Sequence, residues 1–456
     1  MAIVKTDSAH YSNIAAKIRE KTGEATKYKP SQMTDGIEAV YEAGKGARVA
    51  VVEKDVNFYD YDGTLLHSYT LDEVQSLTEL PPLPTQEGLI CQEWNWTLAE
   101  LKSLGRPMTV GATYITDDGA TRAHIDIYDE TLLKTMLNFN QSVANGVTID
   151  WGDGSPTETY GTSGDVTLYH TYETTGKYTI SLLPSDSCSL KLNYSGYSAY
   201  TFMSNDTSAE ISNRSVLKEV NTGVRCSLGH NALQSCRNLV KVSLSKNTSC
   251  GESSLGSCYA LNAVVAPRGM YGLNGYALFD CYALSVVSIP ATSIVLASYA
   301  LRRCYSLKRI DIPSKVSISG EAQFYVNAGL QEIFIPDEIT SVKAKMFFEC
   351  QSLQKVTMNK VASIGSYGFG TCQNLPKIVI PSTCTSIQSS AFDSCSSLKA
   401  VYFKSATPPT LSADASTSVF KGVPTTCVYY VPKGALATYQ GATNYASIAS
   451  QMREEE

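Results

Sequence analysis

Apolar positions in the C-terminal half of the chain return every 22 to 23 residues. Each unit reads A-F-x-x-C-x-x-L-x-x-I-x-I-P, with clear copies beginning at Ala277, Ala300 and Ala391. A fixed period of this length is typical of solenoids and other repeat arrays. The leucine of the unit recurs at nine positions: Leu217, Leu239, Leu261, Leu284, Leu307, Leu330, Leu353, Leu375 and Leu398.

The end of each unit, L-x-x-I-x-I, predicts a short strand. Its leucine and two later apolar residues face the core, and the residues between them face water. A proline ends several of these strands, as at Pro290 and Pro313, because proline cannot donate to a strand ladder. Pairs such as Gly368-Phe369 before the cysteine are expected to fill the opposite wall. Since one unit cannot bury its apolar residues alone, neighbouring units must stack.

Cysteines mark the same period. The repeat positions are Cys236, Cys258, Cys281, Cys304, Cys350, Cys372 and Cys395, with Asn327 in the vacant position. We expect buried, free structural thiols, because stacked side chains with parallel Cβ vectors make poor disulfides. Asn327 is expected to bond to loop backbone. With no C-x-x-C pair and five histidines, zinc is not expected, and neither is another metal or a cofactor.

Two rows of outward side chains are candidates for contact with a receptor. One row lies on the strands: Asp311, Phe334, Thr357, Val379 and Tyr402. The other follows the repeat cysteines and is expected to form a stacked ladder: Tyr259, Tyr282 and Tyr305. The alternative is that this ladder only seals the solenoid wall.

A third candidate surface is the segment "NYSGYSAYTF", which contains Tyr194, Tyr197 and Tyr200. Its composition resembles that of antibody paratopes, and an ordinary linker is the alternative.

The repeat resembles the leucine-rich repeat of the BspA, or treponemal, type over about residues 193–405. The resemblance implies a right-handed solenoid of short parallel strands, with frequent roles in bacterial surface adhesion. Residues 406–456, with "VYYVPKGALATYQGATNYASIASQ", resemble the closing segment of such arrays. We expect a last strand at Val428–Val431 and a short helix that covers the open end.

Residues 105–192 contain "VTIDWGDGSPTETYGTSGDVTLYHTYETTGKYTISL". The order of W-G-D-G-S, H-T-Y and G-K-Y-T-I resembles the polycystic-kidney-disease (PKD) type of Ig-like β-sandwich. The D-G pair predicts a hairpin turn, and "KYTISL" predicts a half-buried strand. Asp153 is therefore interpreted as a turn residue rather than a calcium ligand or catalytic acid.

Residues 47–104 contain "VNFYDYDGTLL", and Asp60 to Thr64 match the D-x-D-G-T signature of haloacid-dehalogenase-type phosphatases. That chemistry needs further motifs on a doubly wound fold, but "LTELPPLPTQEGL" follows, and its prolines exclude a crossover helix. The order of strand, D-G-T turn, proline-rich joint and Trp resembles the β-grasp B-repeat of internalins. We expect Asp62-Gly63 to form a hairpin turn and Trp94 or Trp96 to pack the core.

Residues 1–46 predict two short helices, in "AHYSNIAAKIREKT" and "KPSQMTDGIEAVYEAG". This segment resembles the N-terminus of tail-associated structural proteins from phages and prophages of gut Firmicutes. The resemblance implies attachment to other tail or baseplate proteins. Two such helices are too small to be stable alone, which favours docking or oligomerisation, and a trimer suits a fibre-like appendage.

Composition narrows the function further. The net charge of −6 and the absence of a basic block argue against nucleic-acid binding. The sequence has no run of 18 apolar residues, so membrane insertion is not predicted. The N-terminus carries no apolar signal core, and we expect a virion protein that is assembled in the host cytoplasm. We find no nucleophile–base pair, metal cluster or phosphate loop in the sequence, so no enzyme is expected.

The sequence thus predicts a mainly β, multidomain chain. Short N-terminal helices precede a β-grasp-like module, a PKD/Ig-like sandwich and a leucine-rich-repeat solenoid. The expected function is that of a phage virion adhesin, with the middle modules as spacers and the solenoid binding a host-surface protein or glycan. A bacterial cell-surface adhesin and a capsid decoration or head-fibre protein are the alternatives.

Overall fold

The described residues form thirty β-strands, three α-helices, three short 3-10 helices and one π-helical turn. The computed structural model describes residues 53–194, 201–203, 213–246 and 248–456. The two helices predicted within residues 1–46 lie outside this part of the chain. Chain order runs through a small mixed sheet, a sandwich and a solenoid, as the sequence indicates.

The first module is a four-stranded mixed sheet with two short helices. Its elements are β1 Val56–Tyr59, β2 Leu65–Tyr69, α1 Leu71–Ser76, β3 Leu89–Trp94, α2 Leu98–Leu104 and β4 Met108–Thr116. The strand order is β2-β1-β4-β3, with β1 and β4 parallel and both outer pairs antiparallel. Because β4 belongs to this sheet, the module ends near Thr116, and the predicted boundary at residue 104 is wrong.

Local sequence explains these elements. Thr70 and Thr97 each cap a helix in a capping box with a glutamate three residues later. The predicted hairpin turn at Asp62-Gly63 is confirmed, because Thr64 N–H donates to Asp62 Oδ1 at 2.9 Å and Gly63 has φ +88°. Both Trp94 and Trp96 are buried in the module core, as the sequence predicts.

The second module is a sandwich of two sheets that share one apolar core. Its strands are β5 Thr121–Ile127, β6 Lys134–Gln141, β7 Val147–Asp150, β8 Glu158–Thr159, β9 Gly164–Thr171, β10 Gly176–Pro184 and β11 Leu190–Leu192. Trp151, Phe139 and Tyr172 are fully buried in that core. Asp153 is a turn residue, since its Oδ1 accepts from Ser155 N–H at 3.0 Å.

The solenoid follows with two rows of short parallel strands. One row contains β12 Leu217–Asn221, β14 Lys241–Ser243, β15 Ala263–Val265, β17 Val286–Ser288, β19 Arg309–Asp311, β21 Glu332–Ile335, β23 Lys355–Met358, β25 Lys377–Ile380, β27 Ala400–Phe403, β29 Val428–Val431 and β30 Met452–Glu454. The other contains β13 Cys226–Leu228, β16 Gly272–Leu273, β18 Ile294–Leu296, β20 Val316–Ile318, β22 Ser341–Val342, β24 Ser363–Ile364, β26 Ser386–Ile387 and β28 Thr410–Leu411. Registers are one repeat apart, as in Ile310 opposite Ile333.

A row of turns forms the third wall of the solenoid. Two residues of each turn, such as Tyr299 and Arg303, adopt left-handed φ angles of 57°. Their N–H groups donate to carbonyls of the next repeat, at 3.2 Å to Glu321 and 3.0 Å to Tyr325. The turns therefore carry their own ladder of hydrogen bonds between repeats, which satisfies backbone groups that would otherwise be left unpaired.

Both ends of the solenoid are closed by β structure. At the N-terminal end, β12 pairs with sandwich strand β5, and β13 pairs with β11, so the sandwich sheets continue into the first coil. At the C-terminal end, the predicted strand Val428–Val431 and a short helix, α3 Leu436–Gln440, are present. A further strand, β30, pairs with β29 beyond them. β30 is the last strand of that row.

The first module is not a spacer, because it packs on the strand face, the outer side of the strand row that contains β14 to β29. Strand β4 lies against β14, β15, β17 and β19. Asn95, fully buried, donates from Nδ2 to Ser288 Oγ at 2.9 Å and to the Ala266 carbonyl at 3.1 Å. Trp96 Nε1 donates to the Ile289 carbonyl at 2.9 Å.

Polar contacts surround this interface. Arg268 pairs with Glu100 at 2.7 Å, and Lys241 lies 3.4 Å from Asp62. The Tyr61 hydroxyl donates to Glu219 at 2.7 Å. The D-x-D-G-T hairpin therefore sits against the first repeats, where it takes part in docking.

We expect Gly111→Ala to loosen this interface. A Cβ at Gly111 would lie 2.4 and 2.5 Å from the two γ-carbons of Val265, and such overpacking costs about 1–3 kcal/mol. Urea unfolding followed by tryptophan fluorescence measures the loss. Val265→Ala removes the two γ-carbons that would clash. The double variant should therefore lose less unfolding free energy than the two single variants lose together.

Gly161→Ala is the matched control, because no atom lies within 4 Å of its added Cβ. It should stay within about 0.5 kcal/mol of the wild type. Strictly additive effects at Gly111 and Val265 would contradict the docked arrangement.

Candidate binding surfaces

The outward side chains of the strand face differ between the repeats under the first module and the repeats beyond it. Under the module, the outward side chains Ala263, Val265, Val286 and Ser288 are small and buried. Beyond it, the same positions carry larger or charged residues, including Lys377. Only the later repeats therefore offer this face to a partner.

Asp311 is not on the open part of this face. Only 5% of it is exposed, and its carboxylate accepts from Thr109 Oγ1 and Arg309 Nε at 2.7 and 2.8 Å. Burial raises the pKa of Asp311, and Arg309 and Thr109 oppose this shift. The prediction that Asp311 is an outward contact residue is wrong, because the first module covers it.

Phe334 lies at the edge of the docked module. The guanidinium of Arg106 stands 4.5 Å from the centroid of its ring, in a cation–π contact. A cavity of about 80 Å³ opens beside this pair and is also lined by Asp311 and Thr357. Phe334 and Thr357 are each partly exposed, so their predicted role in receptor contact stays a prediction.

Farther along the strand face, Tyr402 stacks on Tyr430 with centroids 4.8 Å apart. Lys404 Nζ lies 5.5 Å from the Tyr402 ring, and Val379 is 36% exposed. Tyr402 thus remains accessible as a receptor-contact candidate.

The predicted tyrosine ladder is confirmed. Tyr259 and Tyr282 stack at 4.7 Å, and Tyr282 and Tyr305 at 5.1 Å, with interplanar angles of 9° and 15°. Arg237 covers the free face of Tyr259 at 5.3 Å. Tyr305 at the other end is 41% exposed; the role of the ladder in receptor contact stays a prediction, with sealing of the solenoid wall as the alternative.

A further aromatic surface on the turns escaped the sequence interpretation. We call it the turn strip; it comprises Tyr276, Tyr299, Arg302, Tyr325, Phe348 and Tyr367. Tyr276 and Tyr299 stack at 4.9 Å, and Tyr325 and Phe348 at 5.4 Å. Arg302 lies 6.0 Å from Tyr299 and 5.6 Å from Tyr325.

The signal for the turn strip was present at two positions of the unit. They lie five and two residues before the cysteine. The ring stands at the first of these positions in Tyr276, Tyr299 and Tyr367 and at the second in Tyr325 and Phe348, so no single column of the repeat is aromatic throughout. The strip becomes visible only when both turn positions are known to face outward.

Among the joint tyrosines, Tyr194 is partly exposed and its hydroxyl hydrogen-bonds Thr167 Oγ1. Tyr197 and Tyr200 lie outside the described residues. The role of this segment in binding stays a prediction.

The cysteines are free and almost all are buried. Thiols of the repeat donate to a carbonyl of the preceding unit, as Cys350 Sγ does to Phe324 at 3.3 Å. Asn327 takes the same position, and its Oδ1 accepts from Cys304 N–H at 2.7 Å, so its predicted bond to loop backbone is confirmed. Burial raises the pKa of the Cys350 thiol to about 12.

The side chains of the phosphatase-like D-x-D-G-T motif form hydrogen bonds within the fold. Asp60 is buried and accepts from the Tyr114 hydroxyl at 2.7 Å and from Gln86 Nε2 at 2.6 Å. Asp153 pairs with His170 Nε2 at 2.7 Å, and the pKa of Asp153 is lowered to about 2, first by hydrogen bonds from Ser155 and further by His170. Within the described ranges, no three His, Cys, Asp or Glu side chains are grouped to hold a metal ion.

Comparison with known proteins identifies the class of the repeats. Residues 226–343 and 318–422 match the BspA type leucine rich repeat region, in six copies. The C-terminal part of the chain is therefore a solenoid of BspA-type leucine-rich repeats. No curated protein matches the chain.

Solved structures show the same repeat class at low similarity. A leucine-rich repeat protein from Bacteroides ovatus is 22% identical, with 52% of this chain and 66% of that chain covered and a TM-score of 0.41. The leucine-rich repeat protein of T. pallidum is 20% identical, with coverage of 41% and 83% and a TM-score of 0.31. A leucine rich cell surface protein from Faecalibacterium prausnitzii is 14% identical, with coverage of 58% and 89% and a TM-score of 0.24.

In the part of the chain that the structure describes, no helix combines the length and apolar character needed to cross a bilayer.

The buried thiols give a pH-dependent prediction. A thiol with a raised pKa stays protonated in the fold while the unfolded chain loses that proton near pH 9. Stability from Cys350 is therefore complete below pH 9 and is lost as the pH rises toward 12. Cys350→Ala should reduce the fall of unfolding free energy in this window by up to about 1.4 kcal/mol per pH unit.

Urea unfolding at pH 8 to 11 under reducing conditions provides the measurement. Ser352→Ala changes a neighbouring side chain without removing a titrating group, so its pH dependence should equal that of the wild type. Identical slopes for Cys350→Ala and the wild type would show that this thiol ionises in the folded state.

Proposed function

We propose that the protein is a non-enzymatic adhesin whose solenoid binds a molecule on a cell surface. The observation that carries the proposal is the turn strip, where aromatic rings and a guanidinium follow one another over successive repeats. Tyr, Phe and Arg are enriched in protein recognition surfaces, since they offer large rigid contact areas with polar edges. No reaction chemistry is needed for such a role.

The arrangement of the turn strip supports binding more than stability alone. Its rings lie outside the core, whose own stack, Phe324, Phe347, Phe369 and Phe392, is fully buried. Arg302 is held beside two rings, so little side-chain freedom is lost on binding. A solenoid also repeats such contacts along one axis, which suits an extended ligand.

The two modules that precede the solenoid also have a place in the proposed adhesin. We infer a β-grasp module from the β2-β1-β4-β3 order with its central parallel pair, and a PKD/Ig-like module from the two sheets around Trp151. Docked on the solenoid, the first module stiffens the repeats that precede the open strand face. Rigid presentation favours binding, because fewer conformations are lost on contact.

Loss of the turn-strip rings should weaken adhesion. We expect labelled full-length Tyr299→Ala/Tyr325→Ala protein to bind cells at least tenfold more weakly than the wild type, since central aromatic contacts are worth about 2 kcal/mol or more. Flow cytometry over a panel of gut Firmicutes strains and intestinal epithelial cells measures binding.

Two variants separate binding from folding. Tyr299→Phe/Tyr325→Phe keeps both rings and should retain binding. Tyr271→Ala removes a 71% exposed tyrosine outside the turn strip and should have no effect. If wild-type protein decorates none of the cells, the adhesin function is wrong.

The carrier of the adhesin is proposed from the sequence resemblance of residues 1–46. We infer a virion protein whose N-terminus attaches to tail or baseplate proteins, and a homotrimer would suit such an appendage. The alternatives are a protein exported to a bacterial cell surface and a capsid decoration or head fibre. All three carriers would present the same solenoid to the target. The gene neighbourhood discriminates among them, since virion proteins are encoded beside morphogenesis genes.

Antibodies against the solenoid provide a direct test of the carrier. We expect immunogold label at the tails of purified virions from an induced culture, and truncation of residues 1–46 should remove it without changing cell binding. Label at capsids would support the head-fibre alternative. Label confined to the surface of uninduced bacteria would contradict the virion assignment.

A further inference from the structure

The tyrosine ladder ends at a repeat that departs from the common unit. Tyr259, Tyr282 and Tyr305 each follow a repeat cysteine, but the next unit places Ala328 at this position, after Asn327. Tyr282 covers one face of the Tyr305 ring at 5.1 Å. The other face points toward the alanine position, where no ring continues the stack, which agrees with the 41% exposure of Tyr305.

The two ends of the ladder therefore differ. At the first end, the Arg237 guanidinium lies 5.3 Å from the Tyr259 centroid and closes the stack. At the second end, the following repeat supplies Ala328 and Gly329 as a floor. A side chain at Gly329 would meet the Tyr305 carbonyl oxygen at 1.9 Å, so the Gly329 position cannot take a larger residue.

The backbone is also irregular at this floor. In neighbouring repeats, the residue two after the cysteine donates its N–H to the previous unit, as Ser306 does to Tyr282 and Ser352 to Ala328. Gly329 forms no such bond to Tyr305 within the described chain. The hydrogen bond between repeats is therefore absent at this position of the described chain.

Neutral amides border the same space. Gln351 occupies the ladder position of the next unit and is exposed, so a slot about 10 Å wide, two strand spacings, separates it from Tyr305. Gln331 and Gln354 stand in the adjacent column and are also exposed. Each amide offers two donors and one acceptor oxygen.

From these features we propose that the slot between Tyr305 and Gln351 binds one pyranose ring of a neutral glycan. The apolar C–H face of a sugar ring packs against the negative face of an aromatic ring, while its hydroxyls can hydrogen-bond to amide side chains. The inference rests on the proposed adhesin function and specifies a ligand class for one of its sites.

Filling the slot tests this proposal. Ala328→Tyr would add a fourth ring to the ladder in a position that three preceding units already accept, so folding is preserved while the sugar is excluded. Ala328→Gln, which introduces the residue of the following two units, is a second blocking variant. Tyr271→Ala removes a 71% exposed tyrosine outside the ladder and is the matched control.

The probes are the methyl pyranosides of glucose, galactose, mannose and N-acetylglucosamine, titrated onto the full chain. Saturation-transfer NMR should show at least one probe bound through its ring C–H protons. Binding should fall at least tenfold in both Ala328 variants and stay within twofold in Tyr271→Ala. The proposal is overturned if no pyranoside binds, if the Ala328 variants bind as the wild type does, or if arginine methyl ester binds better than every pyranoside.

Cell decoration keeps the two proposals separate. If wild type and Ala328→Tyr decorate cells equally and no pyranoside binds, the slot inference fails and the adhesin function stands. Pyranoside binding that Ala328→Tyr abolishes, with no decoration of any cell, supports the slot and contradicts the adhesin function.

Discussion

A coil of 22 to 23 residues cannot bury its own apolar side chains, and the rest of the structure follows from that constraint. Each unit contributes a few inward residues and completes its core only against its neighbours. Strand rows, turn hydrogen bonds, stacked phenylalanines and thiols all connect one unit to the next. Such a stack has two ends and exposed faces. Different parts of the chain pair with the ends and cover part of the faces.

The sandwich and the terminal segment solve the problem of the ends. By adding solenoid strands to its own sheets, the sandwich removes a free edge and extends one apolar core through both modules. The first module instead covers a face. Its strand β4 needs small outward residues beneath it, and the close approach of Gly111 to Val265 shows how little space remains. Coverage therefore stops where outward side chains become larger.

Much of this could be predicted from the sequence, because periodicity reports directly on burial. The repeat, the tyrosine ladder, the Asp62-Gly63 turn and the closing strand all depend on local pattern. The docking of the first module depends on contacts between residues about 150 to 200 positions apart, which no local pattern reveals. A signal existed in "AVV" and "VVS", where outward positions carry Ala, Val or Ser instead of large or charged residues. Asp311 was misplaced for the same reason.

The regularity of the repeat also determines where along the solenoid a ligand can reach the face of an aromatic ring. A regular stack turns the faces of its rings toward one another and leaves their edges to solvent, as in Tyr259 and Tyr282. A ring face becomes available only where a unit breaks the pattern, as it does when Ala328 follows Tyr305. Asn327 preserves the backbone contact of the missing cysteine in that same unit. The fold thus tolerates a local exception without losing the stacking that supports it, and the exception is where a ligand can reach an aromatic face.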